Sequence, residues 1–214
     1  MRLLIPDKSL LKKTGEVDYY DWNYKFPIKY VQLYRFKKII KLLGKKKYAT
    51  LLEAGTGSGI FLPELFKHCE HLYACDVHHD FENIASLCDT CGVHDYNLSS
   101  QSIDNTNFPD QSFDAIVAVS LLEFVPDIQK AINEIKRILK KEGFFITICP
   151  MESKALDFFL NFYTRKPPKE ESGDARQKVA KILERNFTIV KKGYMIPLIG
   201  KLFPIYTHYK LKKN

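Results

Sequence analysis

The sequence lacks any apolar run long enough to cross a bilayer, and Met1-Arg2-Leu3-Leu4-Ile5-Pro6-Asp7 turns polar too soon for a signal peptide. A cytoplasmic location is the expectation. There are few cysteines, five at irregular spacing, which argues for free thiols and against a disulfide framework. Histidines and cysteines crowd between His68 and His94, and Cys88-Asp89-Thr90-Cys91 has acceptable zinc-ligand spacing. No second Cys-x-x-C follows, Cys88 falls on an apolar helical face and Cys75 in a buried strand, so no metal site is expected. Internal repeats and low-complexity tracts are absent as well, which excludes solenoids and disordered arrays.

What is present is a chain of 214 residues, 45% hydrophobic and 27% charged, with enough apolar material for a sizeable core in one globular domain. Its net charge of +8 would attract nucleic acids, anionic lipids or acidic metabolites. The distribution narrows that choice. Lys45-Lys46-Lys47 precede the first expected strand, and Lys37, Lys41 and Lys45 form a helical stripe, so both read as solvated surface. The C-terminal lysines, among them Lys191, Lys192, Lys210 and Lys212, are interleaved with Tyr194, Met195 and Tyr206. They are placed to steer an anionic or amphipathic substrate, or to make weak contact with an anionic membrane surface. A nucleic-acid partner is not expected, and the oligomeric state is open.

Helical and strand periodicities alternate along the chain. Val31, Leu33, Tyr34, Ile39, Ile40, Leu42 and Leu43 predict an amphipathic helix over residues 30–43. A strand follows over 48–53, a helix over 60–69 and a short strand over 71–76. Asp80 is placed to cap a helix carrying Phe81, Ile84, Ala85 and Cys88 on one face. Residues 113–120 form a buried strand, and Pro126-Asp127 opens a helix with a stripe of Ile128, Ala131, Ile132, Ile135, Ile138 and Leu139. Lys140-Lys141-Glu142-Gly143 ends that helix and leads into a strand over 144–150. A polar loop over 166–174, a helix over 175–185 and a closing hairpin, from residues 187–190 and 205–211, complete the chain. This βαβ alternation defines an α/β fold, a mainly parallel sheet covered by helices on both faces.

Chemistry concentrates in Leu51-Leu52-Glu53-Ala54-Gly55-Thr56-Gly57-Ser58-Gly59, a buried strand that ends in an acid and runs into a turn with three glycines. Such a turn lets a nucleotide-like ligand approach the backbone without meeting a Cβ. The dinucleotide pattern G-x-G-x-x-G fails here, because the sixth position is Ile60 and the third glycine comes one residue early. Glu53 can accept a hydrogen bond from the ammonium group of a methionine moiety, a donor that NAD lacks. Asp76, about 20 residues beyond the first glycine, ends the next strand where a ribose-binding acid belongs.

This run resembles the first motif of S-adenosylmethionine (SAM) methyltransferases. Asn107-Phe108-Pro109-Asp110-Gln111-Ser112-Phe113-Asp114, Leu121-Leu122-Glu123-Phe124-Val125-Pro126-Asp127 and Leu139-Lys140-Lys141-Glu142-Gly143 extend the likeness to the later motifs of class I SAM-dependent methyltransferases, nearest to the ubiquinone and menaquinone methyltransferase-like branch. The resemblance implies a Rossmann-like, doubly wound, seven-stranded sheet whose last strand is antiparallel. It also implies SAM as cofactor and S-adenosylhomocysteine (SAH) as product. By position, Glu53, Gly55, Thr56, Gly57 and Gly59 would line the methionine end, and Asp76 with Val77 would hold the ribose and flank the adenine. Val119 and Ser120 would lie beneath the sulfonium. Ser102, followed by Ile103, stands where relatives carry an aspartate for the adenine amino group. Phe124 stands where many carry histidine, which removes a histidine base and leaves the catalytic residues unidentified.

The resemblance covers residues 51–150. Residues 1–47 are expected to form a helical lid segment on a SAM-binding domain of residues 48–214, the whole being one domain. Tyr19 and Tyr24, with Glu123, Phe124 and His208, are candidates for the acceptor pocket, closed by the aromatic N-terminal segment and a loop over 195–204. The expected function is methyl transfer from SAM to oxygen, nitrogen or carbon of a small or lipid-like molecule. An RNA methyltransferase is the alternative, but it lacks an Asn-Pro-Pro-Tyr-like motif, a catalytic cysteine pair and an appended RNA-binding domain. Ser102 and Phe124 keep open a third reading, a SAM-binding protein without catalytic activity.

Overall fold

A computed structural model describes residues 2–15, 18, 20–151, 171–195 and 205–213. Its elements in chain order are α1 (Ile28–Leu43), β1 (Tyr48–Ala54), α2 (Leu62–Phe66), β2 (Cys69–Asp76), α3 (Glu82–Thr90) and β3 (Tyr96–Ser100). They continue with β4 (Phe113–Val119), α4 (Ile128–Ile138), β5 (Leu139–Pro150), α5 (Glu171–Asn186), β6 (Phe187–Met195) and β7 (Tyr206–Lys213). The seven strands form one sheet in the order β3-β2-β1-β4-β5-β7-β6. Neighbours from β3 to β5 pair in parallel, whereas β7 pairs antiparallel with β5 and with β6. The strand order reverses between β1 and β4, so the crevice for a ligand lies above the C-terminal ends of those two strands.

Strand alternation sends successive side chains to opposite faces. Leu51, Val117, Ile146 and Ile148 join one core cluster with Phe36, Ile39 and Leu43 of α1 and Ile84 and Leu87 of α3. Leu52, Ile116, Ala118 and Phe145 join a second with Ala131, Ile132 and Ile135 of α4 and Val179 and Leu183 of α5. Helices thus cover both faces of the sheet, as the βαβ pattern and the resemblance implied. The Asp127 carboxylate caps α4 by accepting from the Lys130 N–H at 2.9 Å, satisfying one of the free donors of the first turn.

Several local expectations need correction. The helix expected over 60–69 is only Leu62–Phe66, opened by Pro63, and Cys69 already belongs to β2. Asp80 does not cap α3; its Oδ1 accepts from the Asn83 side chain, and Phe81 occupies the cap position with no side-chain bond. Leu139 leaves the α4 stripe to begin β5, pairing with Phe113. Residues 171–174, read as loop, are helical in α5, and the remainder of that loop lies outside the described residues. β3 is the seventh strand, which the resemblance implied but no pattern in the sequence located. On α1 the buried side includes Gln32 and Phe36, while Val31, Leu33 and Tyr34 are only half-buried.

The five cysteines are free thiols. Among the described residues no helix is long and apolar enough to cross a membrane.

Candidate functional site

The glycine turn leaves the C-terminal end of β1. Gly55, Gly57 and Gly59 all have φ in the left-handed region, at 76°, 52° and 77°. The three differ in what surrounds them. A Cβ on Gly55 would meet Leu121 Cδ1 at 2.8 Å, and one on Gly59 would meet Ile84 Cγ2 at 2.8 Å, so those two glycines let core side chains pack closely. A Cβ on Gly57 would meet nothing nearer than the Asp18 carboxylate at 3.6 Å. Gly57 therefore faces open space beside Asp18 and not packed core. Two residues just beyond β2 and at its end brace it: Asp76 Oδ2 accepts from the Gly57 N–H at 2.8 Å, and a His78 ring nitrogen lies 3.0 Å from the Gly57 carbonyl. His78 was grouped with the zinc-type residues in the sequence, and its distance from Gly57 is invisible to local pattern. Among the described residues no three His, Cys, Asp or Glu side chains converge to hold a metal.

Three carboxylates surround this turn. Glu53 is 3% exposed, and its Oε2 is buried without a hydrogen-bond partner. Burial, followed by the nearby Asp76 charge, raises its pKa well above the ordinary carboxylate value. Asp76 also accepts from the Val77 N–H at 2.7 Å, which leaves lone pairs on both oxygens for a diol. Asp18 is brought in by the N-terminal segment. Its Oδ2 accepts from the Thr14 N–H and hydroxyl, both at 3.1 Å, and its pKa is raised chiefly by burial, with Asp76 adding repulsion. Asp18 begins the aromatic N-terminal segment that the sequence places over the acceptor pocket, and the structure brings it beside the glycine turn. Unpaired buried carboxylates are costly unless a cation joins them. A site of this composition is prepared for a ligand with an ammonium group beside a ribose-like diol.

The N-terminal segment is held against the domain by specific contacts. The Leu4 N–H donates to the buried Glu64 carboxylate at 2.5 Å, Leu11 is buried in the core, and the Tyr24 hydroxyl donates to the Pro6 carbonyl at 2.7 Å. Tyr24 thus fastens the segment to itself. Tyr19 lies outside the described residues, as do residues 196–204 of the loop expected to close the pocket.

At the far end of the crevice, Val77 is 67% exposed and Ile103 is buried. Ser102 forms an isolated bridge with Asn105 in a turn after β3. This loop is clamped to α4: Glu134 Oε1 accepts from the Thr106 N–H at 2.9 Å and its hydroxyl at 2.5 Å, and Arg137 links Glu134 to Asp110. The Arg137 hydrogen bonds pull the Glu134 pKa down to about 2.

On the other side of β4 a cation enters the site. Ser120 follows Val119 at the end of β4 with a left-handed φ of 53°, and its hydroxyl accepts from Arg35 Nη1 of α1 at 2.7 Å. The Arg35 guanidinium also lies 5.2 Å from the ring centre of Tyr206 on β7. His208, two residues on, is buried, and its Nε2 would be 2.6 Å from a Cβ at Gly193, so only glycine opposite makes room for the imidazole. Burial, then Lys38 and Lys191, push its pKa down to about 4. Glu123 and Phe124 occupy a 3-10 turn, Leu122–Phe124, in which Glu123 is half-buried and Phe124 is 56% exposed. Glu123 is close enough to Cys149 to raise its thiol pKa, after burial. The structure thus brings Ser120 and His208 to the α1 side of the β4–β7 strand ends, with Glu123 and Phe124 in the turn beyond β4. Arg35 was missed, because in sequence it is one cation among the lysines of an amphipathic helix.

A Rossmann-like α/β sheet with an antiparallel β7, a ligand-facing glycine turn, a strand-end glutamate and a second strand-end aspartate together define a class I SAM-dependent methyltransferase fold. Comparison with known proteins agrees: residues 52–147 match the family described as "Methyltransferase domain". The chain is 26% identical over 118 residues to an uncharacterized methyltransferase, YcgJ, of Bacillus subtilis, covering 54% of this chain and 47% of that protein. It is 28% identical over 95 residues to phosphatidylethanolamine N-methyltransferase of Cereibacter sphaeroides, covering 44% of this chain and 46% of that one. The chain therefore spans about half the length of these two relatives. Among solved structures, the N-methyltransferase NodS of Bradyrhizobium japonicum in complex with SAH superposes with a TM-score of 0.67 at 17% identity, covering 96% of each chain.

The fold implies SAM as cofactor, and the buried Glu53 Oε2 without a partner and the open face of Gly57 fit it. Bound there, SAM would supply an electrophilic methyl on a sulfonium. Glu53 is the group suited to its ammonium, and Asp76 to the ribose. Ser102 offers a hydroxyl and backbone on the adenine side.

Proposed function

We propose that the protein transfers a methyl group from SAM to oxygen, nitrogen or carbon of a small or lipid-like molecule. The observation that carries SAM binding is the buried Glu53 carboxylate, whose Oε2 has no partner, beside the open face of Gly57, where an ammonium would take the place of the proton that its raised pKa favours. Glu53, Gly55, Thr56, Gly57 and Gly59 are assigned to the methionine end. Asp76 and Val77 are assigned to the ribose and adenine side, Ser102 and Ile103 to the adenine, and Val119 and Ser120 to the sulfonium. His78 joins this set by fixing the Gly57 carbonyl.

Within class I, the motif order supports a place near the ubiquinone and menaquinone methyltransferase-like branch. Residues 1–47 act as a lid segment on the domain of residues 48–214, a reading supported by Asp18 reaching the glycine turn. The acceptor enters on the β5–β7 side of Ser120, between His208, Glu123 and Phe124 and the N-terminal segment. No general base is required where the acceptor is already nucleophilic, since alignment with the sulfonium and exclusion of water lower the barrier by several kcal/mol. His208, depressed to about 4, is neutral at physiological pH and is not a source of positive charge there. The name of the phosphatidylethanolamine N-methyltransferase relative supports a lipid-like acceptor.

The test is a metabolite and lipid comparison between a strain lacking the gene and its parent. Loss of one methylated small molecule or lipid, with accumulation of the same species lacking the methyl, is the expected result. An unchanged metabolome with undermethylated RNA would overturn the proposal.

A further inference from the structure

Charge in the crevice differs on the two sides of β4, although Glu123 puts one carboxylate in the turn beyond β4, near Cys149. On the β1–β2 side stand three carboxylates, Asp18, Glu53 and Asp76, which suit the cationic and hydroxyl groups of the cofactor. On the β5–β7 side the described charges near the strand ends and α1 include Arg35, with Lys38 and Lys191 acting on His208. Arg35 is the one held in place. Nη1 is fixed by Ser120, the guanidinium rests against Tyr206, Nε is buried with no partner, and no carboxylate pairs with Arg35 among the described residues. Among the described residues no hydrogen bond holds Nη2 either, so there the Nε–Nη2 edge, a fork that matches two oxygens of one anion, has neither of its donors engaged.

A guanidinium fixed at the methyl-transfer end of the sheet, with its bidentate edge unused, lacks an anion. The geometry points to an oxyanion subsite: we infer that the methyl acceptor carries a carboxylate or phosphate that docks on the Nε–Nη2 edge of Arg35, on the β5–β7 side of Ser120. This rests on the acceptor pocket proposed above. The left-handed Ser120 belongs to the same device. By strand parity residue 120 would follow Ala118 toward α4, yet its hydroxyl meets Arg35 of α1, across the sheet. The unusual φ lets β4 present that hydroxyl to the guanidinium. Arg35 would then act as a specificity residue, holding the acceptor's anionic end while leaving its nucleophile free to face the sulfonium.

One other anion competes for this edge, the methionine carboxylate of the cofactor itself. Position argues against it, because Arg35 stacks toward β7, two strands beyond β4 and away from the glycine turn. The experiment separates the two. SAH and 5′-methylthioadenosine, which lacks the amino-acid end, are titrated into the wild type, Arg35→Met and Arg35→Lys. Octanoate and inorganic phosphate are then titrated into the SAH-loaded proteins. Arg35→Met keeps the aliphatic stem against Tyr206, and equal melting temperatures establish that the variants fold. At least one oxyanion should bind the wild type, about tenfold more weakly to Arg35→Lys, which keeps charge but loses the fork, and not measurably to Arg35→Met. SAH affinity should stay the same in all three. Two results overturn the inference: oxyanions that bind all three proteins alike or none of them, or a loss of SAH affinity in Arg35→Met that spares 5′-methylthioadenosine, which would give the guanidinium to the cofactor. Failure of the wild type to bind SAH would instead remove the methyltransferase reading on which the inference rests.

Discussion

At Glu53 the requirements of folding and of binding oppose each other. Burial and the Asp76 charge raise its pKa, so between the ordinary carboxylate value and the raised one the folded protein holds a proton that the unfolded chain has released. The stability linked to Glu53 is therefore fully present below the unfolded value and is lost as pH rises through the folded one. Glu53→Gln should remove that loss, with a melting temperature that gains on the wild type as pH rises through this window. Melting curves that run parallel across pH would contradict it. Gly57 and Gly59 make a second pair of opposites. Gly59→Ala drives a Cβ into Ile84 and should cost about 1–3 kcal/mol of stability while the folded protein still binds SAH. Gly57→Ala carries mainly the left-handed φ penalty of about 1 kcal/mol, yet places its methyl on the ligand side and should weaken SAH more than Gly59→Ala does. Denaturant midpoints and SAH titrations on both variants check the order, and the reverse order would sink it. Glu53, the glycines and Asp76 could be proposed from the sequence because their spacing at strand ends is local. Arg35, Asp18 and His78 were not, since each acquires its role from a partner distant in the chain.

Among the elements, the loop that carries Ser102 and Ile103 depends on α4. Arg137 and Thr106 hold Glu134 at a pKa of about 2, below its unfolded value, so this clamp stabilises the fold above the ordinary carboxylate range and is lost as pH falls toward 2. Glu134→Gln should cost about 1–2 kcal/mol at neutral pH, with the difference from the wild type shrinking as the solution is acidified. Melting temperatures across acid pH measure this, and a constant difference would show that the clamp is not electrostatic. Element prediction succeeded where periodicity is clean, as in α4 with its Asp127 cap. It failed at β3, whose Tyr96-Asn97-Leu98-Ser99-Ser100 is a partly exposed edge strand with little apolar alternation. It overran α2 because Lys67-His68-Cys69 contains no glycine or proline to mark the helix end, and only the pairing of Tyr48 with Cys69 assigns Cys69 to the strand.

For the whole molecule, the doubly wound order and the antiparallel β7 followed from alternation and from the family likeness, while the docking of the N-terminal segment did not. That segment places Asp18 beside the glycine turn, and the proposed lid role predicts that it responds to the cofactor. SAH is expected to slow proteolytic cleavage within residues 18–24. Removal of residues 1–24 should leave a folded sheet with weakened SAH binding and no methyl transfer. Unaltered cleavage together with normal turnover by the truncated protein would eliminate the lid.

The central claim is that the turn after β1 and the acids at the ends of β1 and β2 hold SAM. Titration calorimetry of SAH, SAM and NAD against the wild type and Glu53→Gln tests it most directly. SAH and SAM should bind the wild type while NAD does not, and Glu53→Gln should lose about 2 kcal/mol of SAH affinity, the worth of a charge-assisted hydrogen bond to the ammonium. Tighter binding of NAD than of SAH, or SAH affinity indifferent to Glu53, would contradict the account.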